Sequence, residues 1–70
     1  MEGTVELFLN GEARGGILAA TVAELIVELG LPGPALLIEW NGTALHRGEW
    51  ERTPVRTGDR LEFVRIVAGG

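Results

Sequence analysis

The sequence contains no cysteine. That excludes disulfides, Cys-ligated zinc, iron–sulfur clusters and a thiol nucleophile on this chain, so any sulfur handled here must come from outside or sit on something other than a side chain. It also lacks lysine: all six basic residues are arginines, at 14, 47, 52, 56, 60 and 65. The chain therefore offers no side-chain amine as an acyl acceptor. No apolar run approaches the roughly 20 residues needed to span a bilayer. The opening MEGTVELFLNG has neither a basic n-region nor a cleavable apolar stretch, so a cytoplasmic, non-membrane protein is expected. One histidine, His46, stands alone, without a second histidine or a cysteine to share a metal. No glycine-rich stretch has P-loop spacing.

The charges present are 10 acidic against 6 basic, a net of −4. The arginines are scattered and form no stripe that could track phosphates, which argues against nucleic acid. An acidic surface instead favours encounter with a basic protein patch. Seventy residues allow one domain with one small core, which hides only about 60% of the unfolded chain's surface. A monomer is expected when free.

Periodicity then orders the chain. In TVELFLNGEARG, Val5, Leu7 and Leu9 alternate with Glu6, Phe8 and Asn10, the period of a half-buried strand. The Asn10–Gly11 pair predicts a tight hairpin turn, with a returning strand from Glu12 to about Ala19. Gly15–Gly16 inside that strand predict a bulge. In TVAELIVELGLPGP the period changes: Val22, Leu25, Ile26 and Leu29 form one apolar helix face. Thr21 and Glu24 predict a capping box, Gly30 a left-handed C-terminal cap with Leu31 packing back, and Pro32 a stop. ALLIEWNGTAL reads as a strand, a second turn at Asn41–Gly42 and a short return. HRGEWERTP reads as a turn or a single helical turn, and RTGDRLEFVRIV as a Gly58–Asp59 turn leading into the last strand. One helix can cover only one face of a sheet. The expected fold is therefore α+β, a β-grasp with a four- to five-stranded mixed sheet on one main helix. The domain is expected over 1–67, with a flexible Gly-Gly tail over 68–70.

The enzyme inventory is thin. Glu24 and Glu28 lie four apart on the helix, but capping accounts for Glu24. Glu49 and Glu51 flank the apolar Trp50 and could resemble an acid/base pair only by accident of folding, and Trp40 and Trp50 read as packing residues. A non-enzymatic role is expected. The ending IVAGG is more informative. With glycine at about 7% of residues, two in the last two places arise by chance in roughly one chain in 200. If the last strand ends near Val67, then Ala68, Gly69 and Gly70 project beyond the fold. Glycine lets backbone pass where any Cβ would clash. An ionised α-carboxylate on Gly70 could attack the α-phosphate of a nucleotide held by another protein, and a persulfide could displace the nucleotide from the resulting acyl-adenylate.

FLNGE in the first hairpin, TVAELIVELG in the helix, HRGEW, and the final GDRLEFVRIVAGG together resemble the sulfur carrier proteins of thiamin biosynthesis, the ThiS family, over nearly the whole chain. The resemblance implies a ubiquitin-like β-grasp fold. It implies adenylation of Gly70 by an E1-like adenylyltransferase, with ATP used by that partner and no cofactor bound by this chain. It further implies a thiocarboxylate at Gly70, sulfur supplied by a donor such as a cysteine desulfurase, and thiazole synthase as acceptor. His46 stands where many relatives have proline and is given no role. The alternatives are the small subunit of molybdopterin synthase, which shares the VAGG ending but typically has prolines where this chain has Arg65–Ile66, a sulfur carrier for transfer-RNA thiolation, and a non-covalent β-grasp interaction module. A carrier needs a docking surface. If Leu61 and Phe63 point inward, then Phe8, Val64 and Ile66 share the open face of the sheet as an expected partner-binding patch.

Overall fold

A computed structural model describes residues 3–66. The elements are β1 (Val5–Leu9), β2 (Glu12–Ile17), α1 (Val22–Leu29), a 3-10 turn over Gly33–Ala35, β3 (Leu36–Trp40), β4 (Thr43–Leu45), a 3-10 helix over Arg47–Arg52, and β5 (Arg60–Arg65). The five strands form one mixed sheet in the order β2-β1-β5-β3-β4. β1 and β5 are parallel, and the other neighbouring pairs are antiparallel. A connection from one strand through a helix to a later strand is the crossover that parallel pairing needs, and here α1 lies between β2 and β3 in the chain. In the structure β2 and β3 do run the same way, but β1 and β5 lie between them, and the parallel hydrogen bonds form between β1 and β5.

The first hairpin turns through Asn10–Gly11, with φ of 50° at Asn10 and 83° at Gly11. Positive φ at both central positions matches the right-handed twist of the flanking strands. The β1–β2 register runs Val5↔Ile17 and then Leu7↔Arg14, so one extra residue bulges on β2. Gly16 takes up that bulge at φ 69°, a conformation that side-chain-bearing residues disfavour. β2 stops at Ile17, two residues short of the expected Ala19. Leu18 and Ala19 instead turn their amides to the Glu28 carboxylate on α1, at 3.2 and 2.8 Å.

α1 begins at the expected cap. The Glu24 amide donates to Thr21 Oγ1 at 3.2 Å. The Glu24 carboxylate accepts from the amide of Ala20 at 2.8 Å, one residue before the cap. Thr21 itself bridges to Pro54, where the Val22 amide donates to the Thr53 carbonyl and the Val55 amide to that of Ala20. At the other end Gly30 adopts φ 68° and donates to the Val27 carbonyl, while the Leu31 amide reaches Ile26. That pairing satisfies two carbonyls the last helical turn would leave open. The face formed by Val22, Leu25 and Ile26 is buried against Leu7, Leu9, Ile38 and Leu61 of the sheet, with Trp50 and Val55 closing one side. The other face of the sheet has no covering layer among the described residues.

Candidate functional site

β5 ends in the middle of the sheet, so its geometry fixes where the segment after Ile66 begins. Two asparagine side chains pin it. Asn10 Oδ1 accepts from the Phe63 amide on the β1 side, and Asn41 Oδ1 accepts from the Arg60 amide on the β3 side, both at 2.8 Å. Each belongs to an Asn–Gly turn, and Asn41 also has φ 50°. Asp59, just before β5, ties up the preceding turn. Its carboxylate accepts from the Arg56 amide at 2.8 Å, from Asn41 Nδ2 at 3.1 Å and from Trp40 Nε1 at 3.2 Å. The last anchor is the Ile66 amide, which donates to the Ala35 carbonyl at 2.7 Å. Ala68, Gly69 and Gly70 lie outside the described residues, and with them the expected boundary between domain and tail.

On the open face, Phe8, Val64 and Ile66 occupy the side that the alternation predicts, while Leu7, Leu9 and Leu61 are buried beneath. They do not form one apolar patch. Phe8 pairs with Arg60 across β1 and β5, and the Arg60 guanidinium lies over its ring at 4.6 Å. Val64 is four residues further along β5, about 13 Å at the usual strand rise. Its cross-strand neighbour is Leu37 of β3, which the sequence reading did not single out. The exposed apolar group is Leu37 and Val64, each 56% exposed, with Ile66 at 48%. Between this group and Phe8 lie Glu62 and, opposite it on β3, Glu39.

The remaining candidate residues have structural duties. Glu24 and Glu28 each accept from backbone amides ahead of α1. The Glu49 carboxylate accepts from the His46 amide at 2.8 Å, and His46 is exposed at the start of the 3-10 helix. Trp50 is buried, with the Arg47 guanidinium 5.7 Å from its ring centre. Trp40 is half-buried at the rim. An open groove of about 400 Å³ beside α1 is lined by Thr21, Ala23, Glu24, Val27 and Glu51. A second, of about 300 Å³, lies between the first hairpin, Leu29, Leu31 and Phe63. Neither brings a nucleophile against a base. No group of three or more metal-ligating side chains occurs among the described residues, and no helix there is long and apolar enough to cross a membrane.

Comparison with known proteins agrees with this architecture. The chain is 30% identical to the thiamine biosynthesis protein ThiS of Geobacter metallireducens, whose crystal structure superposes with a TM-score of 0.82 over 94% of this chain and 100% of that one. It is also 32% identical over 66 residues to a thiazole synthase of Paramagnetospirillum magneticum, covering 94% of this chain but spanning only 20% of that protein's length. Residues 7–70 match the ThiS family model; with the β-grasp sheet and its single main helix, the chain belongs to the ThiS family of ubiquitin-like sulfur carriers.

Proposed function

We propose that this chain carries sulfur as a thiocarboxylate on Gly70 and delivers it to the assembly of the thiazole ring of thiamin. The observation that carries the reading is a family match that runs through residue 70. The likeness of nearly the whole chain to part of a thiazole synthase favours that acceptor over molybdopterin synthesis or transfer-RNA thiolation. On this reading the chain's part is to present a carboxylate, and the catalytic groups belong to its partners.

The chemistry then takes place in partner active sites. A carboxylate oxygen of Gly70 attacks the α-phosphorus of ATP held by an E1-like adenylyltransferase, and pyrophosphate leaves. The terminal sulfur of a donor persulfide, such as one formed by a cysteine desulfurase, attacks the acyl carbon and AMP leaves. A thiol then attacks the donor's sulfur in the acyl disulfide, a new disulfide forms between that thiol and the donor, and the thiocarboxylate leaves on Gly70. From Ile66, held on Ala35, the four residues to Gly70 can span at most about 14 Å. A partner site must therefore lie within that distance of the end of β5. Glycine at 69 and 70 lets the segment enter a channel too narrow for a Cβ.

Intact mass of the protein from its own cells, before and after incubation with thiazole synthase and its small-molecule substrates, tests the reading. A thiocarboxylate adds roughly 16 Da, nearly the same as methionine sulfoxide, so fragmentation or thiol-selective alkylation must place it on Gly70. Sulfur that appears at Gly70 and is lost to thiazole synthase is the expected result. Sulfur that stays on Gly70 would keep the carrier chemistry and discard the acceptor. A Gly70 that never gains sulfur in cells expressing the adenylyltransferase would overturn the reading.

A further inference from the structure

The anchor at Ile66 depends on one carbonyl, that of Ala35, 2.7 Å away. Ala35 ends the 3-10 turn that joins α1 to β3. That turn is short and stiff. The Ala35 amide donates to the Pro32 carbonyl at 3.0 Å and the Leu36 amide to that of Gly33, while prolines at 32 and 34 hold φ near −65°. Such a turn moves as a body, so the direction of the Ala35 carbonyl is set by whatever holds the turn against the rest of the fold. A Cβ built on Gly33 would lie 3.7 Å from the Trp50 ring and 3.7 Å from Ile26, so the turn backs onto both. Arg47 adds a directed bond: its Nη2 donates to the Gly33 carbonyl at 3.2 Å, the same carbonyl that takes the Leu36 amide. The guanidinium is itself kept in place over the buried Trp50, 5.7 Å from the ring centre.

We propose that Arg47 is a positioning residue for the tail: through the Gly33 carbonyl it fixes the turn whose Ala35 carbonyl holds the Ile66 amide. It touches no reacting atom. Its effect on delivery rests on the carrier reading above; the brace itself rests on the bonds at Gly33 and Ala35. Arginine suits the task because one planar cation can stack on the indole while an N–H still donates. Four residues drawn out from Ile66 span at most about 14 Å, so a tilt of about 10° at their base moves the Gly70 carboxylate by about 2 Å. A misplacement of about 1 Å can cost about a hundredfold in rate. Gly69 and Gly70 have no side chains with which to correct the direction, so it must be set at the base.

The test has two arms. The first uses the free chain, with Arg47→Met to keep the apolar stem while removing donor and charge. The N–H residual dipolar couplings of Ala35 and Ile66 should shrink by about a third, the drop from rigid to flexible backbone. The coupling of Phe63, whose amide Asn10 holds independently, should stay as it is. Arg47→Lys, which keeps a cation and a donor, should restore most of the loss. The second arm is adenylation of the full chain by the E1-like adenylyltransferase of the same cells. Arg47→Met should lower kcat about tenfold with KM for the chain within about twofold, because the body still docks and only the carboxylate is misdirected. Unchanged couplings at Ala35 and Ile66 overturn the brace, and so do couplings that fall throughout the sheet. A raised KM at unchanged kcat would make Arg47 a contact for the enzyme and overturn its positioning role, as would altered couplings with unchanged kinetics. A wild-type chain that is never adenylated would sink the carrier reading, and the first arm alone would then decide the brace.

Discussion

At φ 50°, Asn10 and Asn41 sit in the left-handed region, and each also places its side-chain oxygen on an amide of β5. The two effects reinforce each other. Asparagine tolerates that backbone region at little cost, whereas alanine there costs about 1 kcal/mol, and each lost hydrogen bond adds about 1 kcal/mol. Asn10→Ala is therefore expected to lower the unfolding free energy by about 2 kcal/mol. Asn10→Gly, which keeps the backbone preference, should lose about half of that; urea titration of both variants checks the split. The turns themselves were legible in the two Asn–Gly pairs. The clamps were not, because the amide that Asn10 holds belongs to Phe63, 53 residues away, and no local pattern encodes that pairing. Phe8 was legible as an open-face residue through the alternation of β1, but its cover by Arg60 depends on the β1–β5 register and was missed.

The helix shows what a single element can and cannot reveal. Its period, its Thr21 cap and its Gly30 stop were all readable, since each is a short-range preference written within one turn of the chain. Glu28 was read only as one of two carboxylates spaced four apart. In the fold it takes the amides of Leu18 and Ala19, the point at which β2 gives way to the loop. Glu28→Ala should cost about 1 kcal/mol, below the usual value for hydrogen bonds to a charged acceptor because the site is open to water. Glu28→Gln, which keeps an oxygen acceptor, should cost less. Hydrogen exchange at the amides of Leu18 and Ala19 should accelerate in the alanine variant before global unfolding does. The bulge at Gly16 is a second element-scale device. Gly16→Ala places a Cβ at φ 69° and should destabilise by about 1 kcal/mol, read as a lower thermal midpoint without a change in the sheet's circular dichroism.

For the molecule as a whole, two predictions separate presenting a carboxylate from merely binding a partner. On the carrier reading, Gly69→Ala should slow adenylation, with Tm unchanged, because the added Cβ must pass the partner's channel. Residues appended after Gly70 should abolish AMP formation in a carrier, whereas an interaction module should tolerate them. The fold class was legible because the elements came in an order that few architectures accommodate: hairpin, helix, strand, short return, strand. The strand order β2-β1-β5-β3-β4 was not, since it is set by which distant strands share the helix-covered core. The open face of the sheet shows the same division. Alternation placed Val64 and Ile66 outward, but only the β3–β5 register makes Leu37 their neighbour and sets two glutamates face to face.

The parallel pairing of β1 with β5 also has a mechanical consequence. When the C-terminal end of β5 is pulled while the start of β1 is held, the two parallel strands are loaded from opposite ends. Under that load the bonds from the Phe8 amide to Asp59 and from the Asn10 amide to Leu61, both 2.9 Å, run across the direction of force and are strained together in shear. None can open first and let the strand peel. β5 is also bonded to β3 on its other edge, so tension on the tail is shared across the centre of the sheet. Pulling between the start of β1 and the end of β5 should require a much higher rupture force than pulling the short strand β4 away from β3.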